Sequence, residues 1–184
     1  MQEPTTTTAM SSDEVSRTIR RMSAELLEVT AGTDDVILLG IITRGVPLAR
    51  RVAAHLAENE GADVPVGELD VTMYRDDLRR QPARPAARTV VPADIDDKIV
   101  VLVDDVLFSG RTVQAALHAL ADLGRPRGIK LMALVDRSHR ELPIQADIVG
   151  RQLFTAVDER VRVQVSELDG EDAVTITAAA DSVA

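Results

Sequence analysis

The sequence contains no cysteine and no tryptophan, and only 2 % of its 184 residues are aromatic. Without cysteine the chain can form neither a disulfide framework nor a thiolate metal site, which is typical of a cytoplasmic protein. The scarcity of aromatic side chains predicts a core of valine, leucine, isoleucine and alanine. No apolar run approaches the ~18 residues of a membrane-spanning helix, so no membrane partner is expected.

Basic residues are also in the minority. The chain has 21 lysines and arginines against 30 aspartates and glutamates, a net charge of −9. This balance argues against a general nucleic-acid-binding protein, although a local basic patch is compatible with it. The length and the polar tail compositions predict one folded domain over residues 11–178, with disordered tails at 1–10 and 179–184.

The first helix is predicted from its amino-terminal signal and its period. Ser11 and Glu14 have the spacing of a capping box. Behind them, apolar residues recur at steps of three and four, as on one buried face of a helix. These residues are Val15, Ile19, Met22, Leu26 and Val29. Gly32 is expected to end the helix.

Further elements alternate along the chain. Short apolar runs predict strands at 36–42, 99–103 and 129–135, alternating positions predict one at 64–74, and RVRVQV predicts one at 160–165. Helices are predicted from about Pro47 to Gly61 and over 112–123. This alternation predicts an α/β fold with a mostly parallel twisted sheet flanked by helices. Residues 75–94 differ: they hold five arginines and three prolines. A loop of this length is usually functional or disordered.

The segment from residue 99 to 112 carries the clearest functional motif, IVVLVDDVLFSGRT. Asp104 and Asp105 follow an apolar strand, and ligands bind beyond the carboxyl ends of parallel strands. Carboxylates there can accept hydrogen bonds from vicinal sugar hydroxyls or, with water, bind Mg²⁺. Residues 109–112 then lead into a helix, whose free N–H groups suit a phosphate. One short segment can therefore hold a sugar diol and its phosphate.

The acid pair has two other interpretations. The metal-holding acid of a nucleoside triphosphatase would require a GxxxxGK[ST] loop, and the chain contains no Gly-Lys pair. A solvated loop after a buried strand is the second alternative. Acids at strand ends are common, but the whole acid–acid–apolar–Ser–Gly–Arg–Thr series is much less so. The motif therefore favours ligand binding.

The residues VVLVDDVLFSGRT at 100–112 closely resemble the ribose-5-phosphate motif of type I phosphoribosyltransferases. The resemblance extends to GIITRGVPLARR at 40–51, VGELDVTMYRDDL at 66–78 and LVDRSHRELPIQADIVG at 134–150. Together these segments resemble the PyrR family of pyrimidine attenuation regulators, which also have uracil phosphoribosyltransferase activity. The resemblance covers about residues 12–165.

This resemblance implies a type I phosphoribosyltransferase fold with a flexible active-site loop and a small base-binding hood. It implies transfer of the phosphoribosyl group from phosphoribosyl pyrophosphate (PRPP) to uracil, giving UMP and pyrophosphate, with Mg²⁺ as cofactor. It also implies uridine-nucleotide-dependent binding, through UMP or UTP, to the leader mRNA of pyrimidine genes, and a homodimer or larger homo-oligomer. The alternative is a non-catalytic uridine-nucleotide sensor that binds RNA.

The resemblance also assigns the PRPP site. Asp104 and Asp105 would be the catalytic acids, binding the ribose hydroxyls and, together with PRPP, Mg²⁺. The 5-phosphate would be bound by Val106, Leu107, Phe108, Ser109, Gly110, Arg111 and Thr112. The pyrophosphate loop would be formed by Thr43, Arg44 and Gly45. Arg75 and Arg84, in the flexible loop, are the remaining candidates for contacts with pyrophosphate.

The base and RNA sites follow from the same resemblance. Arg137, His139 and Val161 would lie beside the base. Ser138 stands where the family has a glycine. Arg17, Arg20 and Arg21, on the first helix, are candidates for contacts with RNA phosphates.

Overall fold

The computed structural model of the chain describes residues 5–75 and 88–178. The helices are α1 Ser12–Thr30, α2 Gly45–Glu60, α3 Arg111–Leu123 and α4 Ser166–Asp169. The strands are β1 Thr6–Met10, β2 Val36–Ile41, β3 Val66–Leu69, β4 Ile99–Leu107, β5 Gly128–Asp136, β6 Ile148–Gln152, β7 Arg160–Gln164 and β8 Ala173–Thr177. Among these residues no helix is both long and apolar enough to cross a bilayer.

The central sheet has five parallel strands in the order β3-β2-β4-β5-β6. Its middle strands are apolar on both faces because helices cover both sides. Alternate residues therefore enter different cores: Val101 and Val103 pack with α1 and α2, whereas Val100 and Leu102 pack with α3. The predicted α/β class and parallel sheet are confirmed.

A smaller antiparallel sheet, in the order β1-β8-β7, joins the two ends of the chain. With α4 it corresponds to the small hood that was predicted. Residues 6–10, predicted to be disordered, are instead β1, which pairs with β8 from Thr6 opposite Thr177 to Met10 opposite Val174. The prediction was wrong because the pairing partner lies about 170 residues away, where local composition gives no signal. The rest of the predicted tails, 1–4 and 179–184, lies outside the described residues.

The capping box of α1 is confirmed. The Ser11 N–H donates to Glu14 Oε2 at 2.9 Å, and the Glu14 N–H donates to Ser11 Oγ at 3.4 Å. At the other end, Ala31 has left-handed backbone angles and the Gly32 N–H donates to the Leu27 carbonyl at 2.9 Å. The apolar face of this helix is buried from Val15 onward, as its period predicts.

Two strand predictions were wrong in length. The strand predicted over 64–74 ends at Leu69, and a 3₁₀ turn follows at Thr72–Tyr74. The Asp70 carboxylate accepts hydrogen bonds from the N–H and hydroxyl of Thr72 at 2.9 and 2.6 Å, which diverts the backbone from the sheet. Conversely, β4 continues past 103 to Leu107, because β5 extends beside it and supplies pairing partners.

Candidate active site

The carboxyl end of β4, the following loop and the first turn of α3 enclose a cavity of about 210 Å³. It is lined by Arg75, Asp104, Val106, Leu107, Phe108, Ser109, Gly110, Arg111, Thr112 and Val113. The structure thus brings together the predicted phosphate-loop residues, one acid of the pair and the arginine that begins the long loop. Val113 was missed, although it continues the same motif into the helix.

The two acids have different surroundings. Asp104 is 6 % exposed and lines the cavity, whereas Asp105 is half-buried and is not among the lining residues. Both belong to β4, and neighbouring strand residues point to opposite faces. The charge of Arg75 acts on Asp104. The pKa of Arg44 is raised mainly by its hydrogen bond to Asp169 and also by the charges of Asp169 and Asp105. Asp104 therefore faces the cavity, and Asp105 lies near enough to Arg44 for their charges to interact.

The surroundings of Asp104 disfavour the charged form of its carboxylate. Burial raises its pKa well above the ordinary value, and the neighbouring charge of Asp105 raises it further. The Asp105 N–H, which donates to Asp104 Oδ1 at 2.9 Å, offsets only part of this effect. The charged form of such a buried carboxylate is stabilised by a ligand that supplies hydroxyl donors or positive charge.

The phosphate loop ends at the amino terminus of α3. Gly110 is the N-cap with φ of +92°, a conformation that favours glycine, and it provides no side-chain cap for the helix. The Arg111 N–H donates to Ser109 Oγ at 3.4 Å, and the first turn of α3 lines the cavity with the positive end of the helix dipole. Thr112 adds a hydroxyl, which accepts a hydrogen bond from Arg75 Nη1 at 3.4 Å. Arg111 lies against Glu141, with Nη2 2.6 Å from Oε2.

The predicted pyrophosphate loop joins β2 to α2. Thr43 is exposed, and the peptide bond between Ile42 and Thr43 is cis. Arg44 caps α2 and forms a two-pronged ion pair with Asp169, at 3.2 Å from Nε and 2.8 Å from Nη2. Gly45 packs against the backbone of β4, where a Cβ would lie 2.2 Å from the Val103 carbonyl oxygen. The absence of a side chain at 45 therefore has a packing reason.

The predicted base-side residues Arg137 and His139 form a cluster with Phe108. The Arg137 guanidinium lies 4.2 Å from the centroid of the Phe108 ring, and the His139 ring meets that ring edge-on at 6.1 Å. Arg137 is 6 % exposed, and burial lowers its pKa. Its Nη2 donates to the Ala156 carbonyl at 3.0 Å, but its Nε has no partner among the described residues. Since Phe108 lines the cavity, this cluster forms the neighbouring wall.

The remaining predicted residues lie apart from this cavity. Val161, on β7, packs against the core beneath α1 and α2, and no described contact joins it to the Phe108 cluster. Arg84 lies outside the described residues. Arg17, Arg20 and Arg21 are exposed on α1.

Two of these α1 arginines line a second cavity. It measures about 290 Å³ and is bounded by Glu14, Arg17, Thr18, Arg21 and Arg151. Arg21 also donates to the Val149 carbonyl at 2.9 Å and the Gly150 carbonyl at 2.5 Å. Arg151 had not been assigned to a site, because only the packing of β6 against α1 brings it to this helix.

The acid pair has the donor chemistry that Mg²⁺ requires, since carboxylate oxygens are its preferred protein ligands. Asp104 in particular is a buried carboxylate with a raised pKa, which a cation would relieve. Within residues 5–75 and 88–178, however, no group of three or more histidines, aspartates or glutamates is arranged to hold an ion. A divalent cation bound here would therefore need further ligands from a phosphate substrate and from water.

Comparison with known proteins agrees with this geometry. The family model described as phosphoribosyl transferase domain matches residues 11–166. A "Bifunctional protein PyrR" of Streptomyces coelicolor is 57 % identical over 166 residues, covering 90 % of this chain and 86 % of the relative. The protein of the same name from Chloroflexus aurantiacus is 55 % identical over 168 residues, covering 91 % and 92 %.

Solved structures show the same fold at much lower sequence identity. A hypoxanthine phosphoribosyltransferase of Trypanosoma cruzi superposes with a TM-score of 0.70 at 15 % identity, covering 94 % of this chain and 97 % of that one. A hypoxanthine phosphoribosyltransferase from Staphylococcus aureus gives 0.67 at 17 % identity, covering 97 % and 94 %.

Proposed function

Because the chain belongs to the PyrR family and carries a phosphoribosyl transferase domain, we propose that it transfers the phosphoribosyl group of PRPP to uracil. The products are UMP and pyrophosphate. The observation that carries this proposal is that the buried carboxylate of Asp104 and the amino terminus of α3 line the same cavity. That pairing suits a ligand with hydroxyls at one end and a phosphate at the other.

The 5-phosphate binds at the first turn of α3. Backbone N–H groups of this turn donate to the anion, and the helix dipole favours its charge. Ser109 and Thr112 add hydroxyl donors, and Gly110 lets the backbone approach closely. Arg75 also contacts this turn, since its Nη1 donates to the Thr112 hydroxyl.

The ribose hydroxyls donate to the acid pair. Asp104 is the acid that lines the cavity, and the hydroxyl hydrogen bonds stabilise its charged form against the effect of burial. The charge of Asp105 acts on Arg44, so we assign Asp105 to the side of the sugar from which pyrophosphate departs. Fixing both hydroxyls orients C1 of the ribose for attack.

During transfer the bond between C1 and the pyrophosphate oxygen breaks, and a bond from C1 to N1 of uracil forms. The N1 proton is released, and the electron pair of the broken bond leaves with pyrophosphate. Arg44 and Arg75 donate to the leaving group, where negative charge accumulates. We assign Arg84 to the same role, as a donor to pyrophosphate. Mg²⁺, bound through PRPP with Asp104 and Asp105, would supply further neutralisation of pyrophosphate.

Uracil binds on the side of the cavity formed by the Phe108 cluster. The base is planar and neutral, so apolar contact and a few hydrogen bonds suffice to recognise it. Arg137 supplies a buried donor whose Nε is unused, which supports its assignment to the base side. His139 is fixed by a hydrogen bond between Nε2 and the Thr155 carbonyl at 2.7 Å. Val161 is assigned to the base side by the resemblance.

The proposal includes regulation of pyrimidine genes through binding of their leader mRNA in response to UMP or UTP. The specific observation in its favour is the cavity beside α1, where Arg17 and Arg21 meet Arg151. Arg17 and Arg20 are spaced one turn apart on the exposed face of the helix, so they can contact neighbouring phosphates. Arg21 and Arg151 are paired with Glu25 and Glu14, so the excess positive charge of this patch comes from Arg17 and Arg20.

We also propose that the protein acts in the cytoplasm as a homodimer or larger homo-oligomer. Support for assembly comes from large apolar side chains that remain exposed in the monomer. Met73, Phe154 and Val157 are 72 %, 88 % and 70 % exposed. Side chains of this kind are often covered by a partner surface.

The enzyme proposal is tested by incubating the protein with PRPP, Mg²⁺ and either uracil or hypoxanthine, with both products identified. We expect UMP and pyrophosphate in equal amounts from uracil and little reaction with hypoxanthine. Tight binding of UMP without any transfer would support the alternative, a nucleotide sensor that binds RNA. Preference for hypoxanthine would contradict the assignment of the base side.

A further inference from the structure

Asp169 and Arg44 are 125 residues apart in sequence but form an ion pair through two hydrogen bonds. A carboxylate that accepts from both Nε and Nη2 fixes the plane of the guanidinium as well as its position. Asp169 is itself fixed, because its Oδ2 accepts the Val165 N–H at 3.0 Å and its side chain is 9 % exposed. Arg44 is therefore held from the hood rather than from its own loop.

The ion pair leaves part of the arginine available. The hydrogen bonds to Asp169 occupy Nε and Nη2, and Nη1 has no hydrogen-bond partner among the described residues. The Arg44 side chain is 27 % exposed, so a ligand can reach it. The charge of Asp105 also acts on this guanidinium. The remaining N–H groups are suited to phosphate oxygens.

We propose that Asp169 is a positioning residue, which holds the Arg44 guanidinium so that its free edge faces the pyrophosphate group of PRPP. This inference rests on the proposed function. Asp169 touches neither substrate, and it acts through Arg44. The pKa of Asp169 is lowered to about 2, with the Arg44 hydrogen bond as the largest cause. The carboxylate is therefore ionised throughout the pH range of an enzyme assay.

The chain offers a matched control in a second arginine of α2. Arg51 lies two turns after Arg44 and binds the same hood segment: its Nε donates to Glu167 Oε1 at 2.8 Å and its Nη1 to Asp172 Oδ2 at 2.9 Å. Asp172 also accepts the Ser166 N–H at 2.7 Å. Asp172→Asn thus removes the charge of one hood carboxylate that binds an arginine. It leaves the ion pair between Asp169 and Arg44 unaltered.

The experiment compares Asp169→Asn, Asp172→Asn and wild type in the transfer of the phosphoribosyl group from PRPP to uracil. We expect Asp169→Asn to raise KM for PRPP about tenfold, as for the removal of a hydrogen bond between charged groups, and to leave KM for uracil unchanged. Asp172→Asn should stay within about twofold of wild type in both constants. In a background of Arg44→Lys, adding Asp169→Asn should have little further effect, because the residue acts through Arg44.

Three outcomes would overturn the inference. One is a KM for PRPP in Asp169→Asn equal to that of wild type or of Asp172→Asn. Another is a lower KM, which would mean that Asp169 competes with pyrophosphate for Arg44. The third is an undiminished effect in the Arg44→Lys background.

Two further measurements keep the test decisive. If Asp169→Asn does not fold, Asp169→Glu is measured, with a smaller rise in KM for PRPP expected and an unchanged KM overturning the inference. If wild type transfers nothing, the proposed function fails, and calorimetric binding of PRPP with Mg²⁺ by the same variants tests the positioning separately, with weaker binding by Asp169→Asn expected.

Discussion

Gly45 and Val103 lie so close that a Cβ on residue 45 would be 2.2 Å from the Val103 carbonyl oxygen. The contact joins the start of α2 to β4 immediately before the acid pair. Because both partners are backbone, neither can rotate away to make room for a side chain. The predicted pyrophosphate loop is therefore fixed relative to the predicted ribose-binding acids.

This contact predicts the effect of Gly45→Ala. Separating α2 from β4 should lower the free energy of unfolding by about 3 kcal/mol, as overpacking in a rigid core does. It should also lower kcat/KM for PRPP by displacing Arg44. Urea unfolding measures the first effect. Gly128→Ala is the control, since nothing lies within 4 Å of a Cβ there, and it should be at least as stable as wild type. Equal stability of Gly45→Ala and wild type would contradict the packing described.

Asp104→Asn should stabilise the free protein while it impairs the enzyme. An amide of the same shape cannot ionise, so it avoids the cost of a carboxylate whose charged form burial and the charge of Asp105 both disfavour. A gain of about 1 kcal/mol would raise Tm by about 2–4 °C in a chain of this size. Scanning calorimetry at neutral pH measures this change, with a turnover assay alongside. A clear fall in Tm would contradict this prediction. It would show that interactions within the folded protein, without any ligand, stabilise the Asp104 carboxylate.

Ser138 is in the left-handed region with φ of 69°, where the resemblance predicts glycine. Its hydroxyl accepts a hydrogen bond from Gln152 Nε2 at 3.0 Å, which offsets part of the strain. Ser138→Gly should therefore raise the free energy of unfolding only slightly, by about 0.5 kcal/mol, and leave uracil transfer intact. Gln152→Ala is the companion variant, because it removes the hydrogen bond but keeps the strain. A marked loss of stability in Ser138→Gly would mean that the hydrogen bond outweighs the strain.

The arginines of α1 predict a salt-dependent interaction with RNA. Replacing Arg17 and Arg20 together by alanine should weaken binding of the pyrimidine leader RNA. It should also reduce the slope of log K against log salt by about 0.7 for each phosphate that the variant no longer neutralises. Arg21 is left in place because it also donates to backbone carbonyls. Arg50→Ala, an exposed arginine paired with Glu68, is the control for the removal of charge. An unchanged slope in the double variant would place RNA elsewhere.

Much of the framework follows from local sequence. The capping box at Ser11 and Glu14 and the apolar run before Asp104 each specify their structure within a few residues. The series from Asp104 to Thr112 likewise predicted the cavity, because a strand end, a glycine turn and a helix start are contiguous in the chain.

The features that were missed depend on contacts between distant residues. The polar run TTTAM becomes β1 only because β8 offers a pairing edge. Similarly, the acidic stretch that includes Asp169 gives no sign that it will bind Arg44 and Arg51, since the fold alone brings them together. Adjacent acids are unfavourable inside a strand, so a strand end at 103 was the reasonable local interpretation, and only the neighbouring β5 extends it.

The measurement that tests the central claim most directly is turnover of uracil with PRPP and Mg²⁺ by wild type and Asp105→Asn side by side. Asp105 is half-buried, and its replacement by asparagine should leave the fold intact, which circular dichroism checks. We predict release of pyrophosphate with formation of UMP by wild type and loss of most turnover in the variant. Equal turnover by the two proteins would contradict the assignment of phosphoribosyl transfer to the acid pair of β4.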